Sequence, residues 1–170
     1  TDIFELEKFN DWYDLTYDIK QVDGIQEVVS IARVFNLTAN DSIEQFEFKP
    51  LISEKPHTQL QLDSIKAAIF NLPFYNGFLF NKESHATLMA ITFDKYKLNT
   101  KTRLSIVDSI KVKTDVFEKK YKQTLHYSGL PYIRTNIARK IASEMVLFLG
   151  LAFLVTLVIL SIFFRSFYPV

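Results

Sequence analysis

From Met145 to Phe164 the chain runs Met-Val-Leu-Phe-Leu-Gly-Leu-Ala-Phe-Leu-Val-Thr-Leu-Val-Ile-Leu-Ser-Ile-Phe-Phe, 20 residues without a charge. As an α-helix this run rises about 30 Å, the thickness of the hydrocarbon core of a bilayer. Backbone N–H and C=O groups in lipid find no water, so a helix, which pairs them internally, is the form such a run takes there. The competing reading is the buried core helix of a soluble protein. The 144 residues that precede the run make too small a domain to surround 20 apolar side chains, so a transmembrane helix at 145–164 is expected. Arg165 closes the run, and Phe167 and Tyr168 stand beside it as interfacial aromatics.

The rest of the chain is of another character. It has 20 Lys and Arg against 19 Asp and Glu, a net charge of +1. All of these charges except Arg165 fall within residues 1–144. The near-zero total thus averages a polar body with an apolar tail. There is no basic excess to attract nucleic acid and no acidic block of the disordered kind. Cysteine is absent, which excludes disulfides, thiolate metal sites and Cys nucleophiles. The opening Thr1-Asp2-Ile3-Phe4 has neither a start Met nor a signal pattern and reads as a cut through a longer polypeptide.

Residues 4–22 are predicted helical, with Phe9, Trp12, Leu15, Ile19 and Val22 spaced by three and four. Gly24 ends that helix, and the β-branched stretch Ile25–Phe35 is predicted as a strand. A short extended piece, Phe46–Lys49, stops at Pro50. A second helix is expected over 57–71, with Leu62, Ile65, Ile69 and Leu72 on one face and Pro73 as its stop. Residues 77–80 and 86–93 read as a hairpin turning at Asn81-Lys-Glu-Ser84, with Met89, Ile91 and Phe93 on one face. A third helix covers 101–121, with Leu104, Val107, Ile110, Phe117 and Tyr121 inward, and Thr124–Ser128 is predicted as a last strand. After Gly129-Leu-Pro131 the pattern is helical into the apolar run, leaving a polar foot at 132–144. This order predicts an α+β fold, a ferredoxin-like split βαβ domain. Its first strand would lie upstream of Thr1, and residues 36–80 would be an insertion. The domains expected are 1–131, the foot 132–144, the span 145–164 and a juxtamembrane end at 165–170.

No constellation for catalysis is legible, and the chain is not expected to be an enzyme. His57, His85 and His126 share no ligand spacing, so no metal site and no cofactor are expected. Ser84-His85 and His126-x-Ser128 lack a nucleophile elbow. Gly24, Gly77, Gly129 and Gly150 are too far apart for a phosphate loop. Asn36-Leu-Thr38 and Asn40-Asp-Ser42 match the glycosylation pattern, which is common by chance. Phe74-Tyr-Asn-Gly-Phe-Leu-Phe80 could touch an apolar ligand, but core packing beneath a hairpin is favoured. Glu144, just outside the span, is read as a solvated interfacial carboxylate rather than a proton carrier. Catalytic, cofactor and metal residues are therefore none, and substrate-contact residues are unknown at this level.

One stretch carries a resemblance. Leu125-His-Tyr-Ser-Gly-Leu-Pro-Tyr-Ile-Arg-Thr135, the polar foot, the span and Phe163-Phe-Arg-Ser-Phe167 resemble resistance-nodulation-division (RND) superfamily exporters of the MMPL-like branch. The matching order is strand, Gly-x-Pro, polar helix, second membrane helix and an Arg-Ser pair at its inner end. Upstream, Ile3-Phe-Glu-Leu6, Val22-Asp-Gly-Ile25 and Val28-Val-Ser-Ile31 are similar to the opening of that loop. The resemblance covers nearly the whole chain through the order of several weak motifs.

The resemblance implies a multi-pass protein of the bacterial inner membrane that exports amphiphilic or lipid-like molecules, driven by protons. It implies residues 1–144 on the periplasmic side as a porter-like domain. A charge count, with Arg134, Arg139 and Lys140 against Arg165 alone, points the other way under the positive-inside rule. The partners implied are the bilayer, the other transmembrane helices and second half of the same polypeptide, the amphiphilic substrate and a second copy in a homo-oligomer, with no nucleic acid. The proton-relay acids of that family sit on a helix outside this sequence, so no functional residue carries over. The alternative is a non-transport, membrane-anchored interaction or sensor module.

Overall fold

The structure, a computed structural model, describes residues 2–40 and 45–164, the side chains of 37–40 and 45–48 excepted. The chain divides into two compact units, Thr1–His126 and Tyr127–Val170. The first is mixed α and β; the second is dominated by one long helix. The predicted α+β class holds.

The first helix, α1 (Leu6–Lys20), buries Phe9, Trp12, Leu15 and Ile19, the stripe that the three-and-four spacing predicts. It packs against the first strand, β1 (Ile25–Val29), and against a long helix over Thr102–Tyr121. Trp12 meets Phe117 of that helix edge-on, ring centroids 5.2 Å apart, a favoured aromatic geometry. The predicted single strand Ile25–Phe35 is corrected. β1 ends at Val29, a turn closes with the Arg33 N–H donating to the Ser30 carbonyl (2.9 Å), and β2 (Phe35–Asn40) starts in a different sheet. The reason is burial: Ser30, Ile31, Ala32 and Val34 are all fully covered, which a strand with one solvated face cannot achieve. The Ser30 hydroxyl is satisfied there, 2.9 Å from the Thr16 hydroxyl and accepting the Ala32 N–H at 3.1 Å.

β2 pairs antiparallel with β3 (Gln45–Pro50), Phe35 opposite Pro50 and Asn40 opposite Gln45. The Tyr75 hydroxyl clamps the base of this hairpin, donating to the Phe35 carbonyl at 2.8 Å and accepting its N–H at 3.3 Å. The helix α2 (Gln59–Phe70) buries Leu62 and Ile69. Its Thr58 cap accepts the Gln61 N–H, while the Gln61 side chain accepts the His57 N–H, a close variant of a capping box. Gln59 reaches across to the start of α1, bonding the Leu6 N–H and the Phe4 carbonyl.

The predicted hairpin of 77–80 with 86–93 is formed only around its turn: Phe80 bridges Thr87, the Asn81 N–H donates to the Ala86 carbonyl and the Leu88 N–H to the Leu79 carbonyl, while 77–79 are a turn rather than a strand. The strand that follows, β4 (Ala90–Phe93), pairs antiparallel with β1, Val28 opposite Ile91. Met89, Ile91 and Phe93 pack on the core as the alternation predicts. After a short helix α3 (Lys95–Leu98), α4 (Thr102–Tyr121) buries Ile106, Val107, Ile110, Thr114 and Phe117. The predicted strand Thr124–Ser128 is not formed. The Leu125 N–H goes to the Glu118 carboxylate instead of a sheet neighbour, and among the described residues the sheet of β1 contains no strand besides β4.

Gly24 carries the turn between α1 and β1. Its φ is +100°, and an added Cβ would lie 2.4 Å from Ile106 Cδ1. Gly77 has φ +77° but open space around it. Gly24→Ala is expected to cost about 1–3 kcal/mol, strain and overpacking together, and Gly77→Ala less, for strain alone. Denaturant midpoints of the two variants check this; equal losses would show that Ile106 gives way freely.

Candidate functional site

The second unit is built on α5 (Leu130–Phe164), 35 residues in one uninterrupted helix, about 52 Å long at 1.5 Å per residue. Gly129, at φ +110°, turns the chain into it, and Pro131 lies in its first turn, where a missing N–H costs nothing. The Tyr127 and Tyr132 rings stack at 5.2 Å across this entry. Glu144 sits in the polar part, 3.9 Å from Lys140 one turn back and largely exposed. The large apolar side chains from Met145 to Phe164 are 46–81% exposed. Among the described residues this is the one helix long and apolar enough to cross a membrane, and none of its most apolar window is covered by the chain itself. The Thr156 hydroxyl donates to the Ala152 carbonyl at 2.9 Å, the backbone bonding expected of a hydroxyl in an apolar helix. Arg165, Phe167 and Tyr168 lie outside the described residues.

In the first unit, the densest charge lies where α1 meets α4. Glu7, Asp11, Asp14 and Asp18 recur at three and four along α1, which puts them on one stripe. Lys120 of α4 pairs with Glu7 at 2.8 Å and with Asp11, Lys113 faces Asp18 at 3.9 Å, and Lys55 pairs with Asp14 at 2.6 Å. The Tyr121 hydroxyl donates to Asp11 at 2.7 Å. Asp11, Asp14, Asp18, Lys113 and Lys120 line an open groove of about 380 Å³ together with Leu15 and Phe117. Burial works against the Asp11 charge, but hydrogen bonds from Lys120 and Tyr121 outweigh it and hold its carboxyl below the usual range. Hydrogen bonds to Asp11 and Glu7 hold the Lys120 ammonium above its ordinary value. Every acid in the groove has a cationic neighbour, so the arrangement clamps two helices rather than presenting a free acid or base. Its signal was present in the acidic spacing of residues 7–18 and the lysines of 111–120.

The residues singled out in the sequence are scattered. His57 is exposed just before α2, and His126 and Ser128 are exposed in the segment after α4. Ser84 and His85 share the hairpin turn; His85 sits at φ +53°, a region histidine enters more readily than most residues. Among the described residues no group of three or more His, Asp or Glu is placed to hold a metal ion. The motif Phe74–Phe80 divides. Leu79 and Phe80 are core, as favoured, while Phe74 and Phe78 are 78% and 54% exposed. Asn36 lies in β2 opposite Lys49, and Asn40-Asp-Ser42 runs into residues outside those described.

Burial, and then the bond to Asp11, push the Tyr121 phenol up to about 12; burial and a bond with Tyr17 do the same for Tyr13. In the unfolded chain tyrosine ionises near pH 10. The fold therefore favours the neutral phenols, and this stabilisation is complete below about pH 10 and lost as pH rises toward 12. Urea midpoints followed by Trp12 fluorescence are expected to fall across that window, and to fall less steeply in Tyr121→Phe. Identical alkaline limbs would show that the Tyr121 hydroxyl is not coupled to folding.

Comparison with known proteins leaves the function to be argued from the chain itself: no family model, no curated protein and no solved structure matches it.

Proposed function

We propose that this chain is a segment of a multi-pass inner-membrane exporter of the RND superfamily, MMPL-like branch. In this reading residues 145–164 cross the bilayer, and residues 1–131 form a porter-like domain of the ferredoxin-like split βαβ type. The substrates are amphiphilic or lipid-like, and proton flow drives their export. The observation that carries the reading is the continuity of α5: a polar foot and a bilayer-length apolar stretch form one unbroken helix with no apolar cover. A helix of this kind transmits a displacement at one end to the other, which alternating-access transport requires.

The order α1–β1, then β4–α4, with the strands antiparallel and the helices packed together, supports the split βαβ reading. In that fold the strand preceding α1 is the neighbour that residues 124–128 lack. The span itself has no titratable side chain, and a proton path through lipid needs one. This segment therefore couples and guides, and the protons pass through other helices. A second reading, a single-helix tether for an interaction or sensor domain, draws on the presence of one candidate span among the described residues. Many spans in the full-length polypeptide favour transport; one or two favour the tether.

An alkaline phosphatase reporter inserted near Asn99 of the full-length protein is expected to be active, since the reading puts residues 1–144 in the periplasm. A stable but inactive fusion reverses the topology in favour of the positive-inside count. Glu144→Gln is expected to leave proton-coupled efflux from reconstituted vesicles largely intact, whereas neutralising an acid buried in another membrane helix abolishes it. Loss of efflux in Glu144→Gln at matched protein levels would put α5 on the proton path.

A further inference from the structure

At the edge of the core, by the end of α2, three aromatic rings lie together. Phe4 meets Phe70 edge-on at 5.6 Å, and Phe70 stacks on Phe80 at 4.9 Å. They floor a small cleft of about 50 Å³, rimmed by Lys66, Lys82 and His85. Both ammonium groups lie over the rings: Lys66 is 4.8 Å from the centroid of Phe4, and Lys82 is 5.2 Å from that of Phe70. The rim is held in place. Asn81 accepts the N–H groups of Glu83 and Ser84 at 2.8 and 3.0 Å, which fixes the turn carrying Lys82 and His85.

The charge at this cleft is unbalanced. Lys66 is paired with Asp2 at 2.9 Å. Burial works against the Asp2 charge, but the bonds from Lys66 and the Phe4 amide and the nearby Lys66 and His85 outweigh it and hold its carboxyl below the usual range. Among the described residues no carboxylate pairs with Lys82, whose ammonium donates only to the Phe70 carbonyl at 3.2 Å. One carboxylate thus faces two ammonium groups and an imidazole. Cations above an aromatic floor suit a molecule with an anionic end and an apolar body.

We propose that this cleft binds the oxyanion head of a single-chain anionic amphiphile, an alkyl phosphate or fatty carboxylate, between Lys82, Lys66 and His85, with the start of its chain on Phe70 and Phe80. The cleft holds a head group and no more, so the chain leaves it through the open side. The Asp2–Lys66 pair marks a place where a carboxylate already sits. An incoming head group either joins it at Lys82 or displaces it from Lys66. The proposal rests on the reading of this chain as part of an exporter of amphiphiles and names the charge of the end that the chain recognises.

The test is calorimetric titration of the detergent-solubilised chain with octyl phosphate below its micelle concentration, against inorganic phosphate and octyl glucoside. Saturable binding of octyl phosphate, at least tenfold tighter than either control, is expected. Lys82→Gln is expected to weaken it about tenfold or more, as loss of a charge-assisted bond does. His85→Gln, at an exposed turn position, is expected to weaken it by a smaller factor and serves if Lys82→Gln fails to fold. Equal binding of inorganic phosphate removes the aromatic floor from the proposal, and equal binding of octyl glucoside removes the charge; either overturns it. So does the absence of binding, or unchanged affinity in both variants. Export by the full-length protein is measured separately. Export without binding discards this cleft alone, and binding without export discards the transport reading alone.

Discussion

The first unit depends on one apolar stripe. Two-stranded sheets are marginal by themselves in water, and the described residues of this unit form two of them, β1–β4 and β2–β3. What covers β1 is α1, through Phe9, Trp12, Leu15 and Ile19, each at most 6% exposed. α4 closes the other flank with Ile106, Ile110 and Phe117. Removing water from side chains of this size is worth about 1.5–3 kcal/mol each, far more than the exposed ion pairs along the same helices, at about 0–1 kcal/mol. The hairpin β2–β3 and α2 are attached to that centre by particular bonds, Tyr75 to Phe35 and Gln59 to Phe4 and Leu6.

Charge has different work at two places on this unit. Along α1 each acid meets a lysine, and the result is alignment of α1 with α4, with Tyr121 and Lys120 converging on Asp11. At the end of α2 the balance is uneven, two lysines and a histidine around one aspartate, with aromatic faces beneath. Paired charge satisfies itself and asks for no ligand. Unpaired charge held above an apolar floor by a fixed turn is the kind of feature that recognises one.

The long helix joins these parts to the proposed role. A bilayer demands that backbone groups be satisfied within the segment, and an unbroken helix does this for the whole of Met145–Phe164. The same continuity extends the helix beyond the apolar run, through Glu144, Lys140 and back to Pro131. A stiff element shared by the polar and apolar regions is what a transporter uses to couple movement in lipid to events outside it.

The apolar run, the buried faces of α1, α2 and α4, and the stops at Gly24, Pro73 and Gly129 could be read from the sequence, because each follows from neighbours three or four residues away. Ile25–Phe35 could not be read correctly: its β-branched content suits a strand, but burial of Ser30 against Thr16 bends it into a turn. Thr124–Ser128 has strand composition and no strand beside it, and a strand exists only when paired. The acidic spacing of α1 and the lysines of α4 are both legible in the sequence, but not that the two meet. Of the cleft, the sequence showed only Ser84-His85 and the aromatic motif, each in isolation. Phe4, Phe70 and Phe80 come together, and Asp2 reaches Lys66 across 64 residues, through the packing of α2 and the hairpin. Local pattern decides which face of a helix is apolar; only tertiary packing decides what that face, and the charges at its edge, will meet.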